Sequence, residues 1–317
     1  MSIAKFSLTP VEAAQFFPKD RLGIVTAIEP LNMGMSGSLV YSVATDRGEY
    51  ILRLHRVECD WDAFIRNQVI AAEHGIGPAI FHVDAKTRTI VSEKVTGSPF
   101  SETLKNPDMR RPVIASLLTQ LSKLHSIEVS HLAVIDPLDF SKEIWREQTA
   151  RTGFPKEALQ FSAHLENAFT RLERDTRRVF SHSDLHPGNL IWDGRKVWLV
   201  DWERATLAHP YLDLATISNF LSLPDETALD LLSASQQSAI GEEERLTFLA
   251  MRDLVRVIYA CVFIRLIPDL SKVEFAQLEQ TPTLSECLVQ SAAKALDMAS
   301  PQGCALTAAG FFKQCLK

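Results

Sequence analysis

The chain has 317 residues, 46% of them hydrophobic and 23% charged, with a formal net charge of −6. That is a globular balance with enough length for one large domain or two, and its acidity argues against a general nucleic-acid binder, which is normally basic. No apolar run reaches the length of a membrane span, and the start MSIAKFSLTPVEAAQFFPKD has neither the basic opening nor the long apolar stretch of a secretory signal.

The five cysteines, Cys59, Cys261, Cys287, Cys304 and Cys315, are odd in number and widely spaced, with no metal-ligand spacing. Free thiols in a reducing cytoplasm are the simplest account.

In chain order, Thr9-Pro10-Val11-Glu12 reads as a capped helix start. Strands are expected over 23–29 and 38–45. Between them a small-residue loop contains Gly34, Ser36, Gly37 and Ser38. Such a loop is either a plain turn or a cover for nucleotide phosphates, to which it offers backbone N–H groups. A third strand follows, Tyr50-Ile51-Leu52-Arg53-Leu54, in which Arg53 is either an edge residue reaching solvent or an anion contact.

Residues 60–73 have a helical pattern that stops at His74-Gly75-Ile76-Gly77-Pro78. A hairpin is expected over 79–84 and 89–93. From Phe100 the pattern turns helical, with helices over 109–125, 140–152 and 156–177. Arg174, Arg177 and Arg178 read as a solvated face.

The stretch Ser181 to Phe220 carries the chemistry. Asp184 is followed five residues later by Asn189, and twelve after that by Asp201. Asn189 to Trp192 and Lys196 to Val200 read as two strands joined at Asp193-Gly194, an Asp-Gly hairpin signal. That hairpin brings Asn189 and Asp201 together at its open end. A carboxylate at the end of an apolar strand is costly without a partner. One carboxylate to take a hydroxyl proton, with further hard oxygens to hold magnesium, is what a kinase needs at this spacing. Beyond Phe220 helices are expected over 228–237, 242–266, 272–278, 283–299 and 306–316. Arg252, Arg256 and Arg265 read as exposed-face arginines.

His182-Ser183-Asp184-Leu185-His186-Pro187-Gly188-Asn189, then Leu199-Val200-Asp201-Trp202-Glu203, then Tyr211-Leu212-Asp213-Leu214-Ala215, resembles the aminoglycoside phosphotransferase and choline kinase superfamily. The Asp-Trp-Glu form is nearest its choline, ethanolamine and thiamine kinase branch. The resemblance implies an α+β, two-lobed, protein-kinase-like fold. A small β-rich nucleotide lobe would cover residues 1–95, and a larger, mainly helical catalytic lobe residues 96–317.

The resemblance further implies ATP and Mg2+ as cofactors and a small-molecule hydroxyl as acceptor. Asp184 takes the catalytic base position, and Asn189 and Asp201 the metal positions. The loop with Gly34, Ser36, Gly37 and Ser38, together with Arg53, faces the phosphates, and the backbone around Glu93 and Val95 faces the adenine. His182 and Asp213 brace the catalytic loop. In kinases the first long helix supplies a Glu that pairs with the basic residue of the third strand. Here no Glu stands at mid-helix, so the partner of Arg53 is unassigned.

For the acceptor, Trp202 and Glu203, with Trp145, Tyr211 and Tyr259, offer aromatic faces and a carboxylate suited to a quaternary ammonium such as choline. Thiamine ranks second. Aminoglycosides rank third, with Asp225-Glu226 and Glu242-Glu243-Glu244 as the acids they need. A binding module that kept the fold and lost catalysis is the alternative of another class.

Overall fold

A computed structural model describes residues 8–31, 38–55, 61–129 and 137–316. The chain forms two compact units. Residues 1–120 and 188–204 make the first, and residues 121–187 and 205–317 the second. Gly34, Ser36, Gly37 and Cys59 lie outside the described residues.

The first unit is built on a five-stranded antiparallel sheet, in the order β1-β2-β3-β5-β4. Its strands are β1 (Val25–Leu31), β2 (Leu39–Thr45), β3 (Gly48–Leu54), β4 (Ile80–Asp84) and β5 (Thr89–Glu93). Side chains alternate between faces along each strand. Tyr41, Val43, Tyr50, Leu52 and Val91 therefore share one face, where Ala13, Phe17 and Leu22 cover them. Thr9 caps the opening turn through a capping box with Glu12. On the other face Ile90 packs with Trp61 and Phe64 of the helix Trp61–Glu73. Arg53 pairs directly with Ile90 across β3 and β5, so it shares that face.

The expected hairpin after residue 188 forms as β8 (Leu190–Trp192) and β9 (Val197–Leu199). Asp193 N–H donates to Lys196 O at the turn. A short strand, β6 (Ser98–Pro99), adds to its edge. Hydrogen bonds tie the hairpin to the rest of the first unit. Lys196 Nζ donates to Gly75 O at 2.6 Å, Leu199 N–H to Ile76 O at 3.2 Å, and Val197 N–H to Ser116 Oγ at 2.9 Å.

The second unit is organised around the helix Glu242–Arg265, which packs against the helices Pro137–Thr149, Ser162–Leu172, Leu212–Phe220 and Pro301–Lys313. A two-stranded ribbon, β7 (Val179–Ser181) with β10 (Thr206–Ala208), completes it.

Several expectations change. The helix expected over 156–177 is a 3-10 segment, Lys156–Phe161, followed by an α-helix that ends at Leu172. Asp175 Oδ1 accepts from Arg177 N–H, a local turn that competes with helix. No α-helix forms over 272–278; just before it Asp269 caps a single 3-10 turn, Leu270–Lys272, through Ser271 N–H. The helix expected over 283–299 stops at Ala292, where Lys294 turns left-handed with φ 57°.

Arg252 and Arg256 are buried, not exposed. Arg252 Nε donates to Asn219 Oδ1, Nη1 to Asp225 Oδ1 and Nη2 to Leu223 O, while Arg256 Nη1 donates to Asp253 Oδ1.

Candidate functional site

In the first unit the β8–β9 hairpin zips up to its open end, where Val200 N–H donates to Asn189 O at 2.9 Å. Asn189 is buried there, and Asp201 follows with φ 69°. A left-handed conformation is unusual for a residue with a side chain, and such strain concentrates at functional sites. From this position Asp201 Oδ1 accepts from Arg53 Nη1 at 2.7 Å. Glu203 Oε2 lies 3.8 Å from the same nitrogen. The three side chains are 16%, 22% and 26% exposed, so the pairing is sheltered yet open to small ions.

The acidic partners of Arg53 are thus Asp201 and Glu203, not a helix residue. The acids of the 61–73 helix, Asp62 and Glu73, are both exposed. Sequence gave no signal for this pairing, because its members lie 148 residues apart.

The other first-unit candidates divide. Ser38 Oγ lies 3.0 Å from His55 Nδ1, just after the small-residue loop. Burial, followed by the Arg53 charge, pushes His55 down to about 4. The Glu93 N–H already donates to Ala79 O, which removes it from the donors available to a base, and Glu93 Oε2 accepts from Ala79 N–H. Val95 is half-buried. Trp202 is fully buried, and its Nε1 donates to Leu199 O at 3.0 Å. It packs so close to Gly77 that a Cβ there would stand 2.7 Å from its Nε1. Trp202 is therefore a core residue, which corrects the expectation of an aromatic face for substrate.

In the second unit β7 and β10 hold the loop that contains His182, Ser183 and Asp184. Ser183 is left-handed, with φ 62°. The buried carboxylate of Asp213 straps this turn. Its Oδ1 accepts from Ser183 N–H at 2.9 Å and its Oδ2 from His182 N–H at 3.1 Å. Oδ2 also lies 3.0 Å from His125 Nε2. Burial raises the Asp213 carboxyl, but the His125 bond and the neighbouring histidines outweigh it, and the net effect holds it below the ordinary carboxylate value.

Asp184 Oδ1 accepts from the Tyr259 hydroxyl at 2.6 Å. Tyr259 stacks on Phe311 and meets Phe220 edge-on. His186 lies against the same Phe220 ring. The acid is thus bonded to a tyrosine whose ring is fixed by two phenylalanines. Tyr259 was legible only as one aromatic among several.

Asn189 and Asp201 offer an amide oxygen and a carboxylate, the hard donors that magnesium prefers. The chain sets a cation against that carboxylate already, through Arg53. Two protein donors are few, which suits a metal that takes its remaining oxygens from nucleotide phosphates and water. Among the described residues no group of three or more His, Cys, Asp or Glu forms a metal site, and no helix is long and apolar enough to cross a membrane.

Residues 27–249 match the family described as the phosphotransferase enzyme family. No curated protein sequence matches the chain. Solved structures share its fold. A choline/ethanolamine kinase family protein from Mesorhizobium loti is 17% identical, with a TM-score of 0.65, over 94% of this chain and 97% of that one. The choline kinase LicA from Streptococcus pneumoniae, also solved with AMP, is 17% identical with a TM-score of 0.56, over 75% and 85% of the two chains. An aminoglycoside-3'-phosphotransferase of type VIII is 21% identical with a TM-score of 0.52, over 73% and 94%.

Proposed function

Because the chain belongs to the phosphotransferase enzyme family, we propose that it is an ATP- and magnesium-dependent kinase of a small hydroxyl compound, with a choline-like alcohol as acceptor. The observation that carries this reading is the setting of Asp184, whose carboxylate accepts from the hydroxyl of Tyr259, an aromatic ring that itself packs on Phe220 and Phe311. A quaternary ammonium alcohol is recognised by such a combination of acid and aromatic faces.

In the proposed reaction the acceptor oxygen attacks the γ-phosphorus of ATP in line. The bond from that phosphorus to the β–γ bridging oxygen breaks, ADP leaves, and the hydroxyl proton passes to Asp184. Arg53 draws the phosphates into place, and the backbone near Val95 takes the base. Asn189 and Asp201 would hold magnesium, which neutralises the phosphate oxygens as charge develops there. Asp213 keeps the Ser183 turn in the conformation that presents Asp184.

A thiamine-like alcohol is the second reading, since its cationic ring suits the same surroundings. An aminoglycoside ranks below both. The acids it would use are engaged within the chain: Asp225 by Arg252 and Arg256, Glu243 by Arg171, and Glu244 by Gly241 N–H.

The test is ADP release with ATP and magnesium across choline, ethanolamine, thiamine and several aminoglycosides, with Asp184→Ala as control. Acceptor-dependent ADP from choline or ethanolamine, lowered at least about a hundredfold in the control, is expected. Full turnover in Asp184→Ala would sink the base assignment. Nucleotide binding without turnover on any acceptor would favour a binding module.

A further inference from the structure

Arg53 touches the carboxylate that the proposed function gives to the metal. Its Nη1 is 2.7 Å from Asp201 Oδ1 and 3.8 Å from Glu203 Oε2. Asp201 is held rigidly, because the hairpin end is pinned by Val200 N–H on Asn189 O and its own backbone is left-handed. Arg53 is the movable member, a long side chain on β3 with two carboxylates in reach. A divalent cation at Asp201 and a guanidinium in contact with the same oxygen repel each other. One must leave before the other binds. The exposed acids of the 61–73 helix offer Arg53 no second berth, and Glu203, on the turn after Asp201, does.

We infer that Arg53 closes Asp201 to metal until a nucleotide draws it away, and that Glu203 is the positioning residue that receives Arg53 when the metal takes Asp201. This rests on the reading of Asn189 and Asp201 as metal holders. Nucleotide phosphates, being anionic, attract Arg53 and expose Asp201. Metal and nucleotide then bind cooperatively. By linkage each raises the affinity for the other by the same factor. The sequence lacked a kinase-type helix glutamate, and the second acid of Asp-Trp-Glu takes over its task of holding the basic residue.

The experiment is the binding of Mn2+, followed by its paramagnetic signal, to the whole protein with and without ADP. Wild type is expected to bind Mn2+ weakly alone and more tightly with ADP. Arg53→Gln is expected to bind Mn2+ about tenfold more tightly than wild type without nucleotide, with an enhancement by ADP smaller than in wild type by the same factor, because the phosphates still offer oxygens to the metal, while Arg53→Lys, which keeps the charge, stays near wild type.

Glu203→Gln is expected to act in the opposite sense, weakening nucleotide-free Mn2+ binding. That effect disappears in the Arg53→Gln background, because it acts through Arg53. Equal nucleotide-free affinity in wild type and Arg53→Gln would overturn the inference, as would a Glu203→Gln effect that persists without Arg53. Should Arg53→Gln not fold, as judged by its thermal melt, Glu203→Gln carries the test alone, and tighter Mn2+ binding in that variant refutes it. Failure of the underlying kinase reading looks different: wild type would bind no Mn2+ even with ADP, and Asp201→Asn would change nothing.

Discussion

The phenol of Tyr259 donates a 2.6 Å hydrogen bond to Asp184 Oδ1, joining two residues 75 positions apart. The ring is fixed by stacking on Phe311 and by the edge of Phe220. A hydrogen bond to a charged group contributes about 1.5–3 kcal/mol. Here it holds the carboxylate in one orientation. Tyr259→Phe keeps the ring packing and removes only the donor. Turnover of the best acceptor should fall roughly tenfold, with KM for ATP nearly unchanged and the melting temperature lowered by a few degrees at most. An equal rise in KM for ATP would show that the bond serves nucleotide binding instead.

Asp213 has no tolerant substitute. One of its oxygens receives the Ser183 N–H, and the other receives the His182 N–H beside His125 Nε2. An asparagine must turn its own NH2 toward one of these donors. Asp213→Asn should therefore cost about 3 kcal/mol in urea unfolding, and turnover should drop as the left-handed Ser183 relaxes. The carboxyl is held below its ordinary value, so its contribution is present above the usual carboxylate range and is lost as pH falls through it. The variant should show less acid sensitivity than wild type below about pH 4.

Arg252 lies in the core of the second unit and serves Asn219, Asp225 and Leu223 together. Arg252→Ala leaves those acceptors without a donor and opens a cavity. The expected loss is about 3–5 kcal/mol, read as a fall of roughly 6–20 °C in melting temperature. A melt within a degree or two of wild type would refute this account.

His55 ties stability to mild acid. Its ring is pushed down to about 4, first by burial and then by Arg53. Between about pH 6.5 and pH 4 the unfolded chain takes a proton that the folded chain refuses. Stability should therefore fall as pH drops through that window, by on the order of 3 kcal/mol from this residue, and be level above it. His209, held down chiefly by burial, adds in the same direction. His55→Asn should flatten the slope in part. An unchanged slope would mean that the ring is not what resists the proton.

The fold was legible wherever the signal was local. The third strand, the Asp193-Gly194 turn and the Thr9 cap each depend on a few neighbouring residues, and each formed as expected. The spacing of Asp184, Asn189 and Asp201 was legible because a loop and a hairpin fix it. Ion pairing was not. Arg252 reads as an exposed-face arginine because its partners are 27 to 33 residues away, and arginines are seldom buried. Trp202 reads as a ligand face because nothing local announces Gly77, the small residue against which it packs. Helix ends at Leu172 and Ala292 were missed because a side-chain turn at Asp175 and a left-handed Lys294 ended them, with no Gly or Pro as marker.

The division of the first unit between residues 1–120 and 188–204 has a consequence for biosynthesis. As a ribosome emits the chain, β3 emerges with Arg53 long before the hairpin that carries its counter-ions. Until residues 188–204 follow, the carbonyls of Gly75 and Ile76 lack Lys196 and Leu199. At about 5–20 residues per second that interval lasts several seconds or more. The nascent first unit spends that time incomplete, and a chain interrupted after residue 120 would never acquire the segment that finishes it.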